Sequence, residues 1–394
     1  MRGFEFARSH VVDTIIACTA EELGQRFKKH VDFLTISEWS ADTPIGAGGL
    51  GLTDEQAKAC AQRAAQFYGA DASVISPKPG DRFADWGERL HGGVNRHLTE
   101  FGFTTVAGDG AIKVCRHPAD EIYQDACAAA SLLHGRRRII SLVSSHNIFG
   151  FAITVIAAQL QGLETVHARA TPPEVLRQKL SFGDLIVATP TLWRYLAQTL
   201  GGMPDNVMGV CFGEPMSPDL PELLEALGLG AFRELYGATE TGLIGWRYAH
   251  SEPFRLFDAW RRNEDCQDPE RSTSLIRVRA DGGEYVVESM DDLVWDTPRS
   301  FRLMGRRDKA TQVGGVNVFP ERIAEIIEMH PLVEACRIRI GRQRQGVNRL
   351  IAHMILAPSA AASDAVMRDI DMWCRRNLRP QERPRIYCFE PAQA

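Results

Sequence analysis

The chain has 394 residues, 44% of them hydrophobic and 24% charged, with a formal net charge of −5 at neutral pH. That is an ordinary globular composition, long enough for two domains, and its mild acidity leaves no footprint for nucleic acid or an anionic membrane. Nine cysteines with no CxxC pair argue against a disulfide framework or a structural zinc site, and for a reducing cytoplasm.

The first residues, Met1-Arg-Gly-Phe-Glu-Phe, include an acid and no sustained apolar core, so they do not read as a signal peptide. Residues 148–160 form the longest apolar stretch, which carries Gly150 and is too short to span a bilayer. Helices are expected over 11–35 and 53–69. The second places Leu52, Ala57, Cys60, Ala64 and Phe67 near helical spacing, and Thr53 with Gln56 forms a capping box. Between them, Gly46 to Gly51 formally contains GxGxxG, but no apolar strand precedes it and a loop is expected. Arg136-Arg137-Arg138 reads as a solvated helix end.

From residue 100 the pattern alternates. Strands are expected over 102–106, 138–144, 164–168, 184–188, 207–212 and 231–235. Helices are expected over 120–133, 150–160, 173–180, 191–200 and 220–227. Such alternation implies an α/β fold with a mostly parallel, helix-covered sheet. Ligands then bind in loops at the carboxyl ends of strands, here after residues 106, 144, 212 and 235. The last of these is Tyr236-Gly237-Ala238-Thr239-Glu240-Thr241-Gly242. Its chemistry suits a nucleotide: Tyr236 has a face for adenine, Thr239 a hydroxyl for a phosphate oxygen, and Glu240 an oxygen for Mg²⁺. An ordinary polar loop would look the same. The loop after the preceding strand, Gly213-Glu214-Pro215, is expected beside it in the sheet.

Further on, Phe301 to Asp308 reads as a strand ending in Gly305-Arg306-Arg307-Asp308, followed by Gly314-Gly315 and then Val316-Asn-Val-Phe-Pro320 opening a helix over 321–329. Glycine accepts φ > 0 without strain, so this punctuation marks a place where two bodies pivot. The segment resembles the hinge of the adenylate-forming superfamily (acyl-CoA synthetases, aryl-acid AMP-ligases and luciferases), and Val-Asn-Val-Phe-Pro is similar to its compact phenylacetate-CoA ligase-like branch. The Gly213-Glu214-Pro215 and Tyr236-to-Gly242 loops resemble the family's adenine and α-phosphate loops in order and spacing.

That resemblance implies a large domain over 1–304 and a small α+β lid over 305–394, turning about Asp308 and Gly315. It implies ATP-dependent conversion of a small, flat, aromatic acid to an acyl-adenylate, with AMP and Mg²⁺ as nucleotide and metal. The acyl group would pass to CoA, to the phosphopantetheine arm of an acyl carrier protein, or to a reductase, in secondary metabolism. Ser141 to Gly150 resembles the segment whose histidine and aromatic line the carboxylate pocket or its gate, which makes His146 a catalytic candidate, a structural histidine being the alternative. Phe149, Phe151, Phe212 and Gly237 are further candidates for its walls. Asp292 matches the family's ribose-binding aspartate and Arg306 its companion. Thr104, Thr105, Gly108, Gly110 and Lys113 keep the outline of the phosphate loop.

Two departures pull the other way. Most phosphate-loop hydroxyls are replaced and Asp109 adds negative charge. In addition, no lysine follows Lys309 where the family places a catalytic one, so Lys113 or an arginine would have to supply that charge. Losing one such donor can cost about 2.7–4 kcal/mol. The competing reading is therefore a degenerate homologue that binds an adenylate without making it. Monomer and homodimer are both open, as is the identity of the acid.

Overall fold

The computed structural model describes residues 4–248, 250–264, 273–308, 310–313, 316–342 and 348–390. It separates into two compact units. The first holds the residues up to Glu22, Val31–Thr104 and Val114–Arg307; the second holds Leu23–His30, Thr105–Lys113 and the residues from Asp308 onward. Gly315 lies outside the described residues.

The first unit begins with four helices: α1 (Arg8–Gln25), α2 (Phe33–Ser37), α3 (Asp54–Phe67) and α4 (Phe83–His97). The single helix expected over 11–35 is two, with Lys28 at φ 54° between them. The α3 start is as its sequence demands: Thr53 accepts from the Gln56 amide, and the Gln56 side chain returns to Thr53 N. Then come β1 (Glu100–Val106), β2 (Ile112–Pro118) and α5 (Ala119–Ser131). The expected strand at 102–106 is real, but it pairs with β2 in a two-stranded hairpin rather than joining the large sheet. A linker of five residues cannot connect parallel neighbours. The loop after residue 106 is therefore a hairpin turn.

The alternating section follows: β3 (Arg138–Ser141), α6 (Ile148–Phe151) running through a π-helical stretch (Ala152–Ala157) into α7 (Ala158–Leu160), β4 (Glu164–His167), α8 (Pro173–Lys179), β5 (Asp184–Ala188), α9 (Pro190–Thr199), β6 (Met208–Cys211) and α10 (Leu220–Ala226). After these, β7 (Ala231–Ala238) leads into β8 (Gly242–Arg247), β9 (Phe254–Leu256), β10 (Trp260–Arg262), β11 (Ser274–Val278), β12 (Glu284–Glu288), β13 (Asp291–Thr297) and β14 (Ser300–Arg306).

Nine of these strands form one sheet in the order β13-β14-β9-β8-β7-β6-β5-β3-β4. From β4 to β7 every pairing is parallel, and from β7 to β13 every pairing is antiparallel. Every residue of β5 and β6 is buried, as expected for central parallel strands covered on both faces. On one face α8, α9 and α10 set Leu176, Trp193, Leu196 and Leu224 against Ile140, Ile186 and Cys211. Trp193 is fully buried and its indole N–H donates to Val210 O at 2.9 Å; truncation to alanine would cost about 3–5 kcal/mol. Phe151 lies in another cluster, 4.9 Å from Phe67 and 5.0 Å from Phe101 between ring centroids. It is fully buried in that aromatic cluster.

The antiparallel half curls. In a flat sheet β13 would stand four strands from β7, about 19 Å at 4.7–4.9 Å per strand. Yet Tyr236 on β7 donates to Asp291 on β13 at 2.8 Å. Strong coiling of the sheet brings the two ends of this half together.

The second unit contains the hairpin β15 (Thr311–Val313) and β16 (Val316–Val318), then α11 (Pro320–Glu328), β17 (Val333–Arg342), β18 (Asn348–Leu356), α12 (Asp364–Asn377) and β19 (Ile386–Glu390). Strands β17, β18 and β19 form a sheet, and Ile323, Ile327, Ile370 and Cys374 of the two helices pack on Leu350, Ala352 and Met354. Among the described residues no helix is long and apolar enough to cross a membrane.

Candidate active site

The turn between β7 and β8 is the centre of the candidate site. Strand β7 runs further than the sequence suggested, through Tyr236 and Gly237 to Ala238, and the chain reverses over Thr239, Glu240 and Thr241. Thr241 closes the turn: its Oγ1 accepts from Ala238 N at 3.0 Å, and its own N–H donates to Ala238 O at 3.1 Å. Gly242 takes φ 79°, and a Cβ there would lie 2.3 Å from Asp125 Oδ2. Only glycine fits. Asp125 also accepts the Leu243 N–H at 2.9 Å and pairs with Arg277 at 2.7 Å. Burial pushes its carboxyl up to about 6 against the pull of Arg277. From the other side, His117 Nε2 meets Thr239 O at 2.7 Å, and burial holds this imidazole below its usual range, in the neutral form. The turn is thus fixed from two sides, while Thr239 and Glu240 remain half-exposed.

Tyr236 is buried between Phe254 and Phe301, with centroids 5.5 and 5.4 Å away. Its hydroxyl meets Ser289 Oγ at 3.0 Å and donates to Asp291 Oδ2. Burial, reinforced by the Asp291 charge, keeps that phenol protonated far above neutral pH. Arg306 lies across from Asp291 in the β13–β14 register, and its charge is felt at Tyr236. Asp292, the sequence candidate for the ribose, is exposed on the same strand. The structure brings its neighbour Asp291 into the Tyr236–Arg306 cluster instead, since successive strand residues point to opposite faces.

At the parallel end of the sheet, Gly213 takes φ 90° and Pro215 is exposed. Glu214 turns to α9, where it accepts from Thr191 Oγ1 at 2.5 Å and Thr191 N at 3.3 Å. His146 has Nε2 3.6 Å from Glu21 Oε1 and a buried Nδ1 with no hydrogen-bond partner. Burial holds it below the usual histidine range, outweighing the Glu21 charge. Phe149 and Phe212 pack with centroids 5.2 Å apart, and a Cβ on Gly237 would come 3.2 Å from Phe149. An apolar floor thus joins the β3 end to the Tyr236 turn.

The residues assigned to a phosphate loop divide between the two units. Thr104 donates to Glu21 and accepts from Arg63 at 3.4 Å, inside a buried ion pair. Thr105, Gly108, Gly110 and Lys113 group with the second unit. There Gly108 abuts Phe319, Arg322 Nε donates to Asp109 O at 3.0 Å, and Arg379 donates to Gly110 O. Arg322 and Arg379 thus read the carbonyl oxygens of this turn. Lys113 is exposed, and Asp308 accepts from Ala310 N at 3.1 Å.

The sequence reading missed His117, Asp125, Thr241, Asp291 and Arg277. Thr241 alone carried a local signal, a hydroxyl three residues after Ala238 in a turn. The others act across long separations.

No family model matches the chain. A 4-coumarate–CoA ligase of Halorhodospira halophila is 31% identical over 303 residues, covering 77% of this chain and 75% of that protein. One of Rhodobacter capsulatus is 33% identical over 267 residues, covering 66% of this chain and 64% of that protein. Among solved structures, an amide bond synthetase of Marinactinospora thermotolerans superposes with a TM-score of 0.60 at 14% identity, covering 96% of this chain and 90% of that one. A malonyl-CoA ligase, solved as a ternary product complex with methylmalonyl-CoA and AMP, gives 0.58 at 16% identity, covering 74% and 71%. At such identities the structural likeness is one of fold; the kinship rests on the closer sequence match. The chain belongs to the adenylate-forming acyl-CoA synthetase superfamily, among the AMP-forming acid–CoA ligases.

Proposed function

We propose that this protein activates a flat aromatic acid with ATP and transfers the acyl group to CoA. The observation that carries this reading is the turn from Ala238 to Gly242, fixed by His117 and Asp125 with Glu240 left half-exposed beside the Tyr236–Asp291–Arg306 cluster. In the first step a carboxylate oxygen attacks the α-phosphorus of ATP and pyrophosphate leaves. In the second, the thiol sulfur attacks the acyl carbon, AMP leaves with the bonding pair, and the thiol proton passes to solvent. In this reading Asp291 and Arg306 take ribose hydroxyls and Thr239 gives its hydroxyl to a phosphate oxygen, supported by the Tyr236–Asp291 hydrogen bond and the Asp291–Arg306 register.

The donor set suits Mg²⁺. Mg²⁺ is commonly bound by one or two carboxylates plus substrate phosphates. Glu240 would be that carboxylate, and the ion would neutralise charge on the phosphates. The buried Phe149–Phe212 floor supports a flat acid, and the relatives named as CoA ligases support CoA over a carrier-protein arm as acceptor. The division after Arg307 supports a hinge at Asp308 for the change between the two steps.

The test is acid-dependent exchange of pyrophosphate into ATP, followed by thioester formation on adding CoA, across a panel of aryl and short acyl acids. Exchange with aryl acids is expected. No exchange with any acid, together with tight binding of an acyl-adenylate mimic, would leave a protein that binds the adenylate without making it.

A further inference from the structure

We propose that Arg169 reads the far end of the acid and favours one that carries a hydroxyl there. The inference rests on the reading that an aromatic acid is adenylated at this sheet edge. Arg169 follows β4, the edge strand of the parallel half. Its guanidinium donates to Ser144 Oγ at 3.0 Å, and the Phe33 ring lies over it with the centroid 3.4 Å from Cζ. Its Nε is buried with no hydrogen-bond partner, and so is Nδ1 of nearby His146. A guanidinium carries five N–H donors, and leaving one buried and unfilled is costly. Such a donor is retained most readily where a ligand oxygen fills it.

Position decides which part of the ligand that is. Strand β7, which carries the Glu240 turn, lies three strands from β3, whose end Arg169 reaches through Ser144. At 4.7–4.9 Å per strand that is about 14 Å. Between the two ends run Phe149 and Phe212. An acid with its carboxylate at the Glu240 turn and its ring on this apolar floor therefore points its far substituent at Arg169. The charge of Glu214 is also felt at Arg169. With that counter-charge in place, a hydroxyl oxygen suits the site better than a second carboxylate. Burial draws the guanidinium down to about 9, so it stays charged at neutral pH.

The experiment compares 4-coumarate with cinnamate, which differ only in the distal hydroxyl, on the full-length protein and on Arg169→Met and Arg169→Lys. The readouts are kcat/KM for pyrophosphate exchange and calorimetric binding of each acid. The wild type is expected to prefer 4-coumarate by about 10- to 100-fold, the range for a hydrogen bond to a charged donor. In Arg169→Met the preference collapses through KM for 4-coumarate, and Arg169→Lys restores part of it. A preference that survives Arg169→Met, or an equal fall for both acids, overturns the assignment. Arg169-dependent binding of 4-coumarate without exchange would instead sink the activity reading and leave Arg169 in place. If the wild type binds and exchanges neither acid, both fall.

Discussion

Two hairpin turns in this protein are built alike and surrounded oppositely. Between β1 and β2, Gly110 sits at φ 79° and Asp109 Oδ1 accepts from Ala111 N at 2.8 Å. Between β7 and β8, Gly242 also sits at φ 79° and Thr241 Oγ1 accepts from Ala238 N. A Cβ on Gly110 would come 2.1 Å from Arg322 Cζ, whereas one on Gly242 would strike the Asp125 carboxylate. The first turn is gripped by cations through its carbonyls. The second is gripped from behind by an anion through an N–H, which leaves Glu240 facing outward. Both have glycines and side chains that suit phosphate. The neighbours differ in charge.

The largest expected effect lies behind the second turn. Arg277 and Asp125 are almost fully buried, and removing one partner of such a pair costs about 3–5 kcal/mol. Arg277→Met should therefore destabilise the protein by that order in urea unfolding. The sign of the pH dependence follows from Asp125, whose carboxyl is raised from 3.8 to about 6. A raised folded value means a contribution present below the unfolded value and lost as pH rises through the folded one. Without Arg277 the carboxyl rises further, so the penalty should grow once pH exceeds about 6, by up to about 2 kcal/mol between pH 5 and pH 7.5. Equal losses at both pH values would show that the turn does not depend on an ionised Asp125.

A charge-neutral swap in each turn sharpens the contrast. Glu240→Gln should lower acid-dependent pyrophosphate exchange by about 10²- to 10³-fold, the scale of losing one transition-state charge partner, with the melting temperature unmoved. Asp109→Asn should leave exchange within about twofold, as expected for a surface change worth ~0.5 kcal/mol. If Asp109→Asn proves the more damaging, the two turns have been given each other's roles.

What the sequence disclosed follows from how far each signal reaches. The α3 capping box, the β5 and β6 apolar runs and the helices between them depend on residues within a few positions, and the structure has them where local chemistry placed them. The Tyr236-to-Gly242 segment was legible for the same reason. The contact of Asp291 with Tyr236 was not, because it depends on the curl that brings β13 back to β7. The hairpin at 100–118 was misread as part of the parallel sheet because a short strand looks the same whichever neighbour it finds. His117 and Arg277 reach their partners across 122 and 152 positions, a separation no local pattern records.

A stability loss smaller than that of Arg277→Met tests whether the first turn is a clamp or a phosphate loop. Arg322 donates to Asp109 O and pairs with Glu382 at 2.8 Å, and Glu382 is itself almost fully buried. Arg322→Met removes both interactions while keeping the apolar length of the side chain. Hydrogen bonds to charged groups contribute about 1.5–3 kcal/mol, and Arg379, 3.6 Å from Glu382, remains to hold part of that charge. The loss in calorimetric stability should therefore fall in or below that range and be less than for Arg277→Met. Freed from Arg322, the Asp109 carbonyl should become more open to solvent, and proteolysis within 105–113 should speed up while KM for ATP stays unchanged. A rise in KM for ATP without loss of stability would mean that Arg322 holds nucleotide rather than the turn, and the comparison would have to be redrawn with both turns facing phosphate.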